Sequence, residues 1–173
     1  GNLRSVANAL ETVGADPVIT SNVDEIERAD ALVFPGQGSN DASMRALRDR
    51  NLIDPIKKYI GSHRPFLGVC LGLQLLFEGS DEGIEPGLGV VKGWVKKFPD
   101  GQKIPHIGWN SVKFRDSHEV LSGIPDDSYF YFVHSYYANP SDDQFVAGTT
   151  EYGVKFCSAV AKNNLVAVQF HPE

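Results

Sequence analysis

Apolar residues recur along the first 78 positions in two ways, at helical spacing and in short unbroken runs. Leu3, Val6, Leu10 and Val13 stand three or four apart. That spacing puts them on one helix face, so residues 2–13 read as a helix that Gly14 ends. Residues 17–20, Pro-Val-Ile-Thr, read as a short strand. Asn22 and Glu25 have the spacing of a capping box, which predicts a brief helix to about Ala29. Ala31-Leu-Val-Phe34 is a buried strand, ended by the turn-forming Pro35-Gly-Gln-Gly-Ser-Asn40. Met44, Leu47, Ile53, Ile56 and Ile60 fit helical turns, with Pro55 starting a second helical piece. Pro65-Phe-Leu-Gly-Val69 is a further apolar strand, and residues 71–77 form the helix behind it. The order α-β-α-β-α-β-α predicts a parallel sheet covered by helices on both faces.

Beyond residue 78 strands dominate. Residues 90–98, 104–114, 128–137, 145–151, 154–161 and 165–170 are β-rich with turn residues between them. Asn163-Asn164 predicts a hairpin turn joining the last two, and one short helix over residues 117–122 interrupts the series. Residues 1–173 thus read as one α/β domain, a mostly parallel sheet with an antiparallel extension in the second half.

Composition narrows the function classes. A chain of 173 residues is one domain's worth and needs no metal or disulfide staple. Sixteen basic against twenty-two acidic residues, a net charge of −6, argue against broad nucleic-acid binding and against docking on an anionic membrane. Two cysteines cannot make a disulfide framework and suit a reducing, cytoplasmic compartment. No apolar run approaches the ~20 residues of a membrane span. No His, Asp, Glu or Cys group has metal-ligand spacing.

The chemistry centres on Phe66-Leu-Gly-Val-Cys70-Leu-Gly-Leu-Gln74. A lone cysteine in an apolar run is ordinarily a small buried hydrophobe. Here Gly68 and Gly72 flank it where a strand passes into a helix, the G-x-C-x-G counterpart of a nucleophile elbow. So sharp a turn brings chain very close on both sides, and the helix N-terminus favours a thiolate. A thiol nucleophile needs a base and an orienter. Of five histidines, His63 and His118 lie in polar turns, and His106 suits a structural role. His134 sits in an otherwise core-like strand and is the second candidate for the base. His171 ends the apolar strand Val166-Ala-Val-Gln-Phe170 and is followed by Pro172 and Glu173, which gives an imidazole with a carboxylate two residues on. Pro35-Gly-Gln-Gly38 follows a predicted parallel strand, where backbone N–H groups can face an oxyanion; a phosphate loop or a plain turn are the alternatives. Cys157 has no elbow and reads as core.

The elbow Cys70 with His171-Pro-Glu173 about a hundred residues later resembles the class I, triad-type glutamine amidotransferases. Gly1-Asn-Leu-Arg-Ser-Val6, Pro105-His-Ile-Gly-Trp-Asn110, Tyr131-Phe-Val-His-Ser-Tyr136 and Gly148-Thr-Thr-Glu-Tyr-Gly153 are similar to the branch that forms the glutaminase subunits of imidazole glycerol phosphate synthase. The resemblance runs over essentially the whole chain and implies a three-layer, flavodoxin-like fold. It implies Cys70 as nucleophile on L-glutamine, His171 as base, Glu173 as its orienter, and Gly36, Gln37 and Gly38 as the oxyanion loop. Gln74, Glu82, Ser135 and Tyr136 would hold the amino-acid end of the substrate. Trp109, Asn110 and Tyr131 would face the partner, a (β/α)₈-barrel cyclase subunit that receives the ammonia. No cofactor is implied. Gln37 departs from the valine usual between the two glycines, and Leu73 and Ser135 from the commoner Met and Thr. Another amidotransferase acceptor, or a silent scaffold, are the competing functions. Family members carry a strand before Gly-Asn-Leu and a helix after His-Pro-Glu, so these residues are expected to be a core truncated at both ends, with reduced stability and a poorly ordered Glu173.

Overall fold

The computed structural model describes residues 3–115 and 118–173; Gly1, Asn2 and Ser117 of the sequence motifs lie outside them. Helix α1 spans Leu3–Thr12. It closes on Gly14 at φ 87°, with the Gly14 N–H donating to Glu11 O and the Ala15 N–H to Leu10 O. Those two bonds are the Schellman pattern that glycine permits. Helix α2 (Val23–Arg28) starts at Asn22, whose side chain accepts from the N–H groups of Asp24 and Glu25. The return half of the box runs through Thr20, which receives the Asn22 N–H and donates to the Glu25 carboxylate.

Residues 17–20 form no strand, contrary to the sequence expectation. A ladder needs a partner backbone, and no described strand pairs with this segment, so Val18 and Ile19 stay exposed.

The remaining elements are β1 (Leu32–Gly36), α3 (Asn40–Asp49), α4 (Ile53–Gly61), β2 (Phe66–Cys70), α5 (Leu71–Gln74), β3 (Gly79–Ser80), β4 (Gly93–Lys97) and β5 (His106–Phe114). After a 3₁₀ turn at Glu119–Leu121 come β6 (Ser128–His134), β7 (Tyr136–Pro140), β8 (Val146–Glu151), β9 (Lys155–Lys162) and β10 (Leu165–Val168). The sheet order is β1-β2-β10-β9-β7-β4-β3, with β8 on β9 and β5, and β6 on β5. Parallel pairing is confined to β1–β2, β2–β10 and β3–β4; the other described pairs are antiparallel. The sheet is therefore mixed, and its antiparallel share is larger than the first-half rhythm suggested. Short connections such as Asn163-Asn164, with Asn163 at φ 54°, can only join antiparallel strands.

Two expected elements end early for tertiary reasons, and a third takes another form. Helix α5 stops at Gln74 because the carbonyls of Leu75, Leu76 and Phe77 accept N–H groups from residues 88–91 instead of from a further turn. The expected strand over residues 128–137 breaks at Ser135, which sends β6 to β5 and β7 to β4 and β9. The short helix expected over residues 117–122 is the 3₁₀ turn.

Two apolar clusters lie on either side of β2, β9 and β10. Ile26, Met44, Ile56, Tyr59 and Leu73 pack with Phe66, Leu165 and Ala167 on the helical side. Phe98, Phe132, Phe156 and Phe170 pack with Val69, Val166 and Val168 on the other. Among the described residues this second cluster takes nothing from α1–α5, and the β5–β6 ribbon contributes where helices were expected. Alternate residues of β10 feed opposite clusters, which is why its run is apolar throughout. This frame brings the carboxyl ends of the parallel strands β1, β2 and β10 side by side, where open α/β sheets bind ligands.

Candidate active site

Cys70 is the last residue of β2 and the N-cap of α5, at φ 55° and ψ −112°. A non-glycine residue there is strained, and such strain persists only where surrounding structure holds it. The two flanking glycines supply the room. A Cβ on Gly72 would lie 1.8 Å from the Phe34 carbonyl oxygen, and one on Gly68 2.8 Å from the Ala167 Cβ. Gly36, paired in register with Cys70, would meet Leu71 Cβ at 2.9 Å. The elbow is thus close-packed between β1 and β10, with the half-buried thiol at the sheet's edge.

Gln37 and Gly38 are exposed beside it, Gly38 at φ 88°, and Ser39 caps α3. Glu82 reaches the same loop: its carboxylate accepts the Asn40 N–H at 2.7 Å. The segment carrying Glu82 is clamped to α3. Asp41 accepts the N–H groups of Glu85 (2.9 Å) and Ile84 (3.3 Å), and Arg45 and Arg48 bind the Glu85 carboxylate at 3.0 and 2.7 Å. The Glu85 N–H is the main cause that holds the Asp41 carboxyl below its ordinary range. A cavity of about 360 Å³ lies behind the loop, lined by Phe34, Pro35, Gly36, Gln37 and Leu47, and does not include Cys70.

His171 arrives from the end of β10. Its N–H donates to the Tyr131 carbonyl at 2.9 Å, in an isolated antiparallel bridge. Its Nδ1 meets Glu173 Oε1 at 3.0 Å, and the two side chains are only 16% and 11% exposed. The carboxylate can only accept, so Nδ1 carries the proton and Nε2 the lone pair. Nε2 is buried and has no hydrogen bond of normal geometry. Contact with the Cys70 thiol, ahead of Glu173, nevertheless raises the imidazole's pKa above its ordinary value. The thiol and imidazole are thus close enough to interact, with no hydrogen bond of normal geometry between them; in catalytic sites such bonds often form fully only when substrate binds. The arrangement can pass a proton from sulfur to Nε2.

His134 is differently placed. Its Nδ1 meets the Tyr136 carbonyl at 2.8 Å and its Nε2 meets His106 Nδ1 at 3.0 Å, so both nitrogens are occupied. Burial lowers its pKa to about 3, which keeps it neutral. His106 in turn meets Asn110 Nδ2 at 3.3 Å and stacks against Tyr152 and Phe132, the structural setting expected of it. Cys157 is buried, with its pKa pushed up to about 12.

The other expected residues divide. Ser135 and Tyr136 are half-buried at the β6–β7 break. Gln74 is buried, and its Nε2 donates to Tyr136 O (2.9 Å) and to Gln169 Oε1 (2.8 Å). Trp109 and Tyr131 face each other across β5 and β6 on an outer surface, with rings 6.1 Å apart. Asn110 points the opposite way, its amide bonded to His106 and to Glu151 O. Sequence reasoning missed Gln169, Asn40 and Asp41. The one available signal was a glutamine inside the apolar strand Val166-Ala-Val-Gln-Phe170.

The class-I glutamine amidotransferase family matches residues 1–173. The chain belongs to that family. It is 49% identical to the imidazole glycerol phosphate synthase subunit HisH of Microcystis aeruginosa over all of this chain and 84% of that one. Identity to the HisH subunit of Trichodesmium erythraeum is 51%, over all of this chain and 83% of the relative. A crystal structure of a glutamine amidotransferase, 19% identical, superposes with a TM-score of 0.78 over 99% of this chain and 86% of that one, which shows the shared fold. Among the described residues, this amidotransferase has no cluster of three or more potential metal ligands and no helix long and apolar enough to cross a membrane.

Proposed function

We propose that the chain is the glutaminase subunit of an imidazole glycerol phosphate synthase, serving histidine biosynthesis, with Cys70, His171 and Glu173 as its catalytic triad. The observation that carries this is the strained elbow cysteine beside an imidazole whose other nitrogen is held by a carboxylate at 3.0 Å. The Cys70 proton passes to His171 Nε2, and the sulfur attacks the side-chain amide carbon of L-glutamine. Backbone N–H groups of the Gly36-Gln37-Gly38 loop stabilise the oxyanion. His171 returns the proton to the departing nitrogen, which leaves as ammonia. Water then hydrolyses the glutamyl thioester, giving L-glutamate and restoring the thiol.

Glu82, already on the rim of the oxyanion loop, receives the substrate's ammonium, and Ser135 and Tyr136 border its carboxylate. Gln74 has both amide hydrogens directed inward and so acts from beneath, holding the Tyr136 carbonyl and Gln169. The partner is a (β/α)₈-barrel cyclase that uses the ammonia to form imidazole glycerol phosphate and aminoimidazole carboxamide ribotide. Its docking face is the outer β5–β6 ribbon, where Ile107, Trp109, Tyr129, Tyr131 and Val133 are exposed together. An apolar patch of that kind is uncommon on a surface without a partner. Two unpaired cysteines suit the cytoplasm.

The test is glutamate release with and without the cyclase subunit. The parent should be weakly active alone and stimulated by the partner. Cys70→Ser should release no glutamate in either state while keeping the parent's circular dichroism. Full activity in that variant removes the triad assignment, and stimulation by a different synthase in place of the cyclase reassigns the acceptor.

A further inference from the structure

Gln169 is 0% exposed and lies between Val168 and Phe170, both core residues. Its backbone N–H already bonds Ser158 O at 2.8 Å, so the strand does not need its side chain. Burying a primary amide is unfavourable unless its atoms find partners. Those partners are Gln74 Nε2, 2.8 Å from Gln169 Oε1, and the Cys70 sulfur, 3.7 Å from Gln169 Nε2.

The direction of this chain of bonds follows from its far end. A backbone carbonyl can only accept, so the Tyr136 oxygen obliges Gln74 to present its NH₂ group. The same NH₂ group meets Gln169, which must therefore offer its oxygen. The Gln169 NH₂ is then left pointing at sulfur. The imidazole pair is polarised consistently, since His134 Nδ1 donates to that same carbonyl. The donor contacts a reacting atom, and its bond strengthens when the thiol becomes an acceptor-only thiolate. A contact that improves as charge develops accelerates the step, whereas one of equal strength throughout would not.

We infer that Gln169 is a catalytic residue that donates a hydrogen bond to the Cys70 thiolate, with Gln74 as the positioning residue that sets its orientation. This rests on Cys70 being the nucleophile. Among the described residues, the titratable groups that face the sulfur and its imidazole are His171, Glu173 on the far ring nitrogen, and His134, which bonds the Tyr136 carbonyl and feels the His171 charge.

The experiment is alkylation of Cys70 by iodoacetamide across pH, in the full chain and in Gln169→Met, with Cys70→Ser confirming the labelled site. At pH 7 the variant should react roughly tenfold more slowly, the size of a charge-assisted bond to sulfur. The two rates should converge in alkali, once both thiols are ionised. Equal rates at pH 7, or one constant deficit at every pH, would overturn the inference. Should Gln169→Met not fold, the side-chain amide resonance of Gln169 in the parent decides. It should move with the same midpoint as the alkylation rate, and a resonance that stays still overturns the inference. Failure of the triad itself shows separately, as glutamate release persisting in Cys70→Ser.

Discussion

Tyr131 and His171 share a single backbone hydrogen bond, N–H to carbonyl at 2.9 Å, in a bridge outside any regular strand pair. The strand that anchors His171 on one side therefore carries the aromatic patch on the other. Tyr131 is 37% exposed and Trp109, opposite it, 70%.

That exposure separates two neighbouring residues. Trp109→Ala should leave the unfolding midpoint close to the parent's and weaken association with the cyclase subunit by about 2 kcal/mol or more, roughly thirtyfold, as for an aromatic anchor. Asn110→Ala should do the reverse, because its amide satisfies buried His106 and the Glu151 carbonyl. Binding isotherms and urea melts on both variants would show whether the roles divide this way.

Removing the carboxylate from His171 gives a pH signature. Glu173 and the Cys70 thiol both raise the imidazole's pKa, the thiol more. Glu173→Gln should therefore move the acid limb of kcat/KM to lower pH, because the base must be neutral to take the thiol proton. The maximum should fall by up to about 10⁴-fold, the scale of replacing the acid of a nucleophile–His–acid triad by its amide. An unmoved acid limb would mean that this limb does not belong to His171.

The elbow's glycines offer a test of space against backbone conformation. Gly72→Ala places a methyl group 1.8 Å from the Phe34 oxygen, and that backbone cannot yield cheaply. It should cost about 3 kcal/mol or more in urea unfolding. Gly14→Ala meets nothing within 4 Å but sits at φ 87°. It should cost only about 1–2 kcal/mol, the left-handed penalty. Similar losses in both would show that the elbow relaxes.

Acid stability should report the buried histidine pair. The folded pKa of His134 is lowered to about 3, with burial the largest cause, and burial also lowers that of His106. Between about 6.5 and 3 the unfolded chain then binds protons that the native state does not, so stability present above pH 6.5 is lost as the pH falls through this window. Each such group contributes a slope of at most about 1.4 kcal/mol per pH unit. His134→Gln should be less stable at pH 7 yet lose less between pH 6.5 and 4. Parallel slopes in the two proteins would assign the acid loss to carboxylates instead.

Local chemistry explains what was legible in advance. The Gly-Val-Cys-Leu-Gly run announces its own sharp turn, because only glycine at positions 68 and 72 lets β1 and β10 come so near. Asn163 tolerates the left-handed backbone that its hairpin needs. His171 and Glu173 sit two residues apart on a proline-stiffened chain, so their pairing is almost a local property. By contrast, nothing near residues 17–20 reports that their apolar side chains find no ladder. Nothing near Leu75 reports that residues 88–91 will claim its carbonyl and end the helix.

Most of the elements, the sharp turn at Cys70, the pairing of His171 with Glu173 and the family to which they belong were thus readable from local sequence. These depend on backbone preferences and on contacts a few residues apart. Packing across the sheet set which histidine lies beside the thiol and which is sealed in an aromatic core. It also turned Trp109 outward and Asn110 inward, and placed Gln74 against Gln169 across 95 positions of sequence. Hydrogen-bond direction in a buried network passes from one partner to the next, from a carbonyl on β7 to a sulfur on β2, and it exists only when all the partners are in place.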